Sequence, residues 1–192
     1  MARPPIARDR ILAAARQVVE REGAGSLTFD ELVRESGITR GGITYHFPTK
    51  EDLLRGLLEA DFRQWDDAEA AHTPSDCDPE TARLLGFIRT LTAQDESHRR
   101  FLCGMLSAAT LDPALMDPCR KELRERLGRK QWTDRDLRLH LVHLAAEGLM
   151  WQELFQIYAM PGPARARLVS LMESLARTWG AGQLHKKTAK EA

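Results

Sequence analysis

Arg40, Thr44 and Tyr45 bring a guanidinium, a hydroxyl and a phenol together within six residues, and two glycines, Gly41 and Gly42, stand among them. On one helix, Ile43 and Phe47 fall at i and i+4 and share a face, which leaves the polar groups opposite. Such a face can meet phosphates or base edges. The glycines remove side chains near the helix start and let another backbone come close. They also cost roughly 1 kcal/mol each in helix propensity. The alternative is a plain helical corner whose small residues permit tight packing. A second constellation, His140, His143 and Glu147, stands at i, i+3 and i+7 of one apolar segment. It suits a metal, polar anchors in a pocket, or a solvated edge. Cys103 and Cys119 suit an oxidant sensor or buried structural thiols. A P-loop, a GxGxxG after a strand, GxSxG and HExxH are all missing, which argues against an enzyme.

The elements that carry these residues read as helices throughout. Apolar Ile11, Ala14, Ala15, Val18 and Val19 form the stripe of a helix over 6–22, stopped by Gly23 and Gly25. Thr28-Phe-Asp-Glu31 has capping-box spacing and starts a second helix that ends at Ser36-Gly37. Thr39 is a good N-cap for a short third helix to Phe47, which Pro48 cannot extend. Two short helices joined by a tight, glycine-containing turn form the helix-turn-helix pattern, whose second helix enters the major groove. A long helix follows from Lys50, with Leu53, Leu54, Leu57, Leu58, Phe62 and Trp65. Further helices are expected over 81–93, 97–110, 113–127, 134–158 and 163–179, with a loop over 72–80 and a polar tail over 183–192. Period-2 alternation and hairpin dipeptides are missing, so the expected class is all-α with about nine helices.

Composition bounds the function. The 192 residues carry 28 Lys+Arg and 28 Asp+Glu, with 43% hydrophobic and 29% charged, as in ordinary soluble proteins. Zero net charge means that nucleic-acid binding must come from local placement. Within residues 1–55, basic side chains at 3, 8, 10, 16, 21, 34, 40, 50 and 55 face acidic ones at 9, 20, 22, 30, 31, 35, 51 and 52, a net of +1. Glu147, Glu153 and Gln156 interrupt the most apolar region, so no membrane span is expected. The N-terminus shows no apolar signal region. An odd set of cysteines, Cys77, Cys103 and Cys119, without CxxC spacing suits a cytoplasmic protein without disulfides.

The stretch Thr28-Phe-Asp-Glu-Leu-Val-Arg-Glu-Ser-Gly37-Ile-Thr-Arg-Gly-Gly-Ile-Thr-Tyr-His46-Phe47-Pro-Thr-Lys50-Glu-Asp-Leu-Leu resembles the DNA-binding region of the tetracycline-repressor-like (TetR) transcriptional regulators. The resemblance covers residues 8–55, about a quarter of the chain. It implies that Thr28 both caps its helix and touches phosphate, and that Thr39, Arg40, Gly41 and Gly42 face the groove. Tyr45 and His46 would lie at its edge, and Lys50 would hold a phosphate. One departure is Thr44, where many members carry a phosphate-binding Tyr; its shorter reach passes that role to Tyr45 or weakens it. Arg40 is then the first choice for direct readout, because guanidinium matches the guanine O6/N7 edge; a phosphate contact is its other reading. The segment Arg3-Pro-Pro-Ile-Ala-Arg8 is either a DNA-touching arm or a frayed end.

The expected domains are a DNA-binding domain over 1–52 and a helical effector-binding and dimerisation domain over 53–182. The 134–158 segment is apolar on more than one side, as in helices buried on both faces. With the 163–179 segment it suits half of a two-fold four-helix interface, with Leu141, Leu154, Leu168, Leu171, Met172, Leu175 and Trp179 as candidates. The resemblance implies the same pairing, hence a homodimer whose reading helices lie about 34–36 Å apart, or a multiple of one turn, on a near-palindromic operator in double-stranded DNA. A cavity for a small, largely apolar effector would draw on Phe62 and Trp65, then Phe101, Leu102, Met105 and Leu106, then His143, Glu147, Met150 and Trp151. No cofactor and no resident metal is expected. The function implied is a ligand-responsive regulator, mostly repressing by promoter occlusion; a constitutive DNA-binding regulator without effector is the alternative. By the same analogy, the expected Lys50–Asp67 helix, which links both domains, transmits the ligand signal.

Overall fold

The computed structural model describes residues 7–181. The leading Arg3-Pro-Pro segment and the expected polar tail over 183–192 lie outside the described residues. Among them there are nine α-helices, two short 3-10 turns and no strand, so the all-α expectation holds. Among the described residues no helix is long and apolar enough to cross a membrane. The described residues divide into two compact units, and they interleave in sequence: 7–64 with 95–125, and 65–94 with 126–181.

The first unit holds α1 (Ala7–Glu22), α2 (Phe29–Ser36), α3 (Arg40–His46), the start of α4 (Lys50–His72), α6 (Glu96–Leu111) and most of α7 (Asp117–Leu127). Local chemistry sets the helix ends. Thr28 accepts from the Glu31 amide, but the Glu31 carboxylate engages Arg21 and Arg34 rather than closing the expected box. Gly37 ends α2 at φ 66, the left-handed conformation that glycine adopts at little cost. Thr39 caps α3 by accepting from the Gly42 amide, and Phe47 closes it just before Pro48. Thr49 accepts from the Asp52 amide at 3.0 Å ahead of α4. Ile11, Ala15 and Val18 of α1, Leu32 of α2, Ile43 of α3, Leu53 and Leu57 of α4, and Phe101 and Met105 of α6 share one core. Each large side chain buried there contributes roughly 1.5–3 kcal/mol. A Cβ on Gly104 would lie 2.7 Å from Val19 Cγ1, so α6 rests directly on α1.

A polar cluster crosses this core. Arg16 donates to Asp61 Oδ1 and Glu20 Oε1, both at 2.8 Å, while its guanidinium lies 4.2 Å from the Phe101 ring centroid. Its Nη2 is 3.0 Å from His98 Nδ1. Asp61 is buried, with Arg16 and His98 as its partners there.

The second unit contains the end of α4 from Trp65, α5 (Pro79–Thr92), α8 (Asp134–Leu154) and α9 (Gly162–Gly180). Leu85, Ile88, Leu139, Val142, Ala146, Leu149, Met172 and Ala176 form its core. Asp78 caps α5, and Arg135 of α8 donates to Asp78 at 2.6 Å and to the Gly180 carbonyl at 3.0 Å. Arg89 grips both oxygens of Glu173, which fastens α5 to α9.

Three boundaries differ from the sequence reading. The expected helix over 113–127 is a 3-10 turn, Pro113–Met116, followed by α7. Pro118 explains this, because it supplies no backbone donor to a continuous ladder. The expected helix over 134–158 stops at Leu154, and Gln156 takes a positive φ of 52. In α4, helix continues to His72.

Candidate nucleic-acid interface and effector cavity

α3 presents its polar residues outward. Ile43 is fully buried and Phe47 nearly so, which fixes the helix by one face. On the other, Tyr45 is 83% exposed and forms an edge contact with His46, ring centroids 5.1 Å apart. Thr28, Thr39, Arg40 and Gly41 are exposed as well. Lys50, at the start of α4, donates to the Gly25 carbonyl at 3.1 Å. Thr44 is half-buried, and its hydroxyl donates back to the Gly41 carbonyl at 3.2 Å. Its proton is thus committed within α3.

Two features of this face escaped the sequence reading. Arg40 Nη1 donates to Asp30 Oδ1 at 2.7 Å, and its guanidinium lies 5.6 Å from the Phe29 ring centroid. A capping pattern revealed where α2 begins but not which side chain of its first turn meets α3. The glycines also differ. A Cβ on Gly41 would meet nothing within 4 Å, whereas one on Gly42 would lie 2.9 Å from Ile38 Cγ2. Gly42 therefore permits the close turn, and Gly41 leaves open space.

The expected effector residues fall in two places. Phe101 and Met105 are buried in the first unit's core, with Phe62 and Leu102 packed against it and Leu106 half-buried. Trp65 and Met150 pack against the second core, and Trp151 is exposed and stacked with Phe155. Within the second unit lies a cavity of about 640 Å³ between α5, the end of α7 and α8. His143 lines it, and so do Leu84, Phe87, Leu127 and Leu139. Glu147 pairs with His143 at 3.2 Å, and this hydrogen bond, against the opposing effect of burial, lowers its pKa. Burial and the neighbouring His143 lower the pKa of His140, which keeps it neutral at neutral pH. Among the described residues no group of three or more His, Cys, Asp or Glu is arranged to hold a metal ion.

The outer side of α8 and α9 is apolar. Leu141 and Leu171 are 58% and 54% exposed, and Leu144, Trp151 and Phe155 are exposed with them. Leu168, Leu175 and Trp179 are half-buried against the second core, while Leu154 and Met172 are buried within the subunit.

Comparison with known proteins places this architecture. The family model described as bacterial regulatory proteins, tetR family, matches residues 11–57. A tetracyclin repressor-like C-terminal domain matches residues 81–177. The HTH-type transcriptional regulator QacR of Staphylococcus aureus is 33% identical over 58 residues, 30% of this chain and 31% of that protein. TtgR of Pseudomonas putida is 31% identical over 88 residues, 45% of this chain and 40% of its own length. For SrpR of Pseudomonas putida the share of the relative is 24% at 37% identity over 51 residues, 27% of this chain. The matches thus span a quarter to two fifths of these relatives. Among solved structures, a TetR-family member from Streptomyces coelicolor is similar with a TM-score of 0.67 at 25% identity, over 89% of this chain and 98% of that one. The multidrug binding protein EbrR, complexed with ethidium, shares the fold with a TM-score of 0.62 at 22% identity, over 90% and 99%. With both of its parts matched in order, the chain belongs to the TetR family of transcriptional regulators.

Proposed function

We propose that this regulator binds a near-palindromic operator as a homodimer, occludes a promoter, and is released by a small molecule with a largely apolar body. The observation that carries the reading is the outward face of α3, where Arg40, Gly41 and Tyr45 stand exposed behind a buried Ile43. In this reading Arg40 reads a guanine edge. Thr28, Tyr45 and Lys50 hold phosphates, with Thr39, Gly42, Thr44 and His46 completing the surface.

Dimerisation is supported by the exposed leucines and aromatics of α8, α9 and the segment joining them. Contiguous apolar surface of this kind marks an interaction site. Leu141, Leu171 and the half-buried Leu168, Leu175 and Trp179 are its proposed contacts. Leu154 and Met172 back it from inside the subunit. Release by an effector is supported by the cavity in the second unit, whose volume lies in the range of small-molecule sites. A ligand shifts the equilibrium only by its differential affinity for the bound and free forms.

The test is selection of genomic fragments by the purified protein, followed by hydroxyl-radical footprinting. The expected result is protection of two symmetric half-sites by a dimer. Failure to protect any fragment at low ionic strength overturns the reading.

A further inference from the structure

The cavity of the second unit is lined by more cationic than anionic side chains. Arg83, Arg126, Arg129 and Lys130 line it against a single carboxylate, Glu80. Glu80 is taken: it pairs with Lys130 and with Arg135. Arg83 is taken in turn by Glu69 at 3.3 Å. Arg126 and Arg129 make no ion pair with a carboxylate among the described residues. Arg126 instead brings Nη2 to 3.4 Å from His143 Nε2.

The floor is apolar. Leu84 and Leu139 are buried, and Phe87 and Leu127 are half-buried. Phe87 lies 4.2 Å from the His143 ring and 5.7 Å from the Trp65 ring by centroids. The Arg126 guanidinium, half-buried beside such a floor, is partly desolvated, so its attraction to an anion is stronger than in water, while Arg129 stands exposed at the rim. The guanidinium fork matches the two oxygens of a carboxylate. A cation in the same space would meet the like charges of Arg126, which Glu147 partly offsets, and of Arg129.

We propose that this cavity binds an organic anion with an apolar body, its acidic group held by Arg126 and Arg129 and its body laid on Leu84, Phe87, Leu127 and Leu139. Its regulatory meaning rests on the effector reading above; the binding itself does not.

The experiment is calorimetric titration of the full chain with three probes of one shape, 2-naphthoate, 2-naphthylmethylammonium and 2-naphthalenemethanol. The acid is expected to bind about tenfold tighter than either of the others, the worth of a charge-assisted hydrogen bond. Arg126→Gln with Arg129→Gln is expected to remove most of that preference. Arg129→Gln alone, at an exposed side chain, is expected to remove part of it without disturbing the fold. Absence of naphthoate binding, equal binding of the ammonium or the alcohol, or a preference untouched by Arg129→Gln each overturns the proposal. Release of a bound operator is then scored separately. Naphthoate that binds without releasing DNA leaves the anion site standing and removes the effector reading. Release by the ammonium, with no binding of the acid, does the reverse.

Discussion

Arg40 on α3 and Asp30 on α2 form a 2.7 Å hydrogen-bonded ion pair on the surface that faces outward from the helix-turn-helix. Both side chains are well exposed, 63% and 79%, so the pair is worth at most about 1 kcal/mol and exchanges readily for DNA. In the proposed complex Asp30 would set a negative charge near the phosphates and so disfavour any sequence that cannot draw Arg40 away. Asp30→Asn is expected to tighten binding to scrambled duplex more than to operator, lowering the ratio between them severalfold. Anisotropy titrations with both duplexes check this, and an unchanged ratio contradicts it.

Gly41 and Gly42 are adjacent and serve different ends. Gly41→Ala meets open space, so stability is expected to hold or to rise by up to about 1 kcal/mol from helix propensity. DNA affinity is expected to fall, because a methyl group then stands where backbone approaches the duplex. Gly42→Ala forces a Cβ to within 2.9 Å of Ile38 Cγ2, and a loss of about 1–3 kcal/mol is expected. Thermal melting and anisotropy on the two variants separate the roles. Equal behaviour would contradict the assignment.

His98 ties acid sensitivity to the first unit. Burial lowers its pKa; the Arg16 charge adds to that effect and the Asp61 charge opposes it. An unfolded chain binds the proton more readily than the folded one, so stability from this group is present above its ordinary value near 6.5 and is lost as pH falls below it. Chemical denaturation from pH 7.5 down to 5.5 is expected to show this loss in the wild type and a smaller one in His98→Gln. Parallel curves would remove His98 from the account. Comparing the two proteins at each pH cancels the contribution of His140, whose pKa is lowered as well.

The outer face of α8 and α9 is the proposed subunit contact. Leu141→Asp with Leu171→Asp is expected to leave the fold intact, since both side chains are exposed in the subunit, and to yield monomers in sedimentation at micromolar concentration. Met172→Ala instead removes a buried group and is expected to cost about 2–5 kcal/mol of stability. A dimer that survives the paired aspartates contradicts the assignment of this face.

Much of the first unit was readable from sequence because short-range chemistry governs it. Thr28, Gly37, Thr39 and Pro48 act within a few residues of themselves, and they mark α2 and α3 closely. What escaped is long-range. Arg16 meets His98 across 82 positions, and no periodicity announces that α6 will rest on α1. In α8 the pattern revealed apolar residues on more than one side, but hydrophobicity alone does not distinguish a subunit core from an exposed face. Leu139 and Leu149 turned out to be the former, Leu137 and Leu141 the latter. The cavity arginines were hidden for a similar reason, because Arg124, Arg126, Arg129 and Lys130, interrupted by Glu125, Leu127 and Gly128, carry the same pattern as a solvated helix end.

The most direct test is titration of a selected operator, against a scrambled duplex, with wild type, Arg40→Ala and Lys50→Ala over a range of salt. The wild type is expected to prefer the operator strongly, with affinity falling linearly in log salt. Arg40→Ala is expected to lose the preference, at about 1–3 kcal/mol, and Lys50→Ala to weaken both duplexes alike and reduce the salt slope by about one. Undiminished preference in Arg40→Ala would contradict the claim that α3 reads the groove.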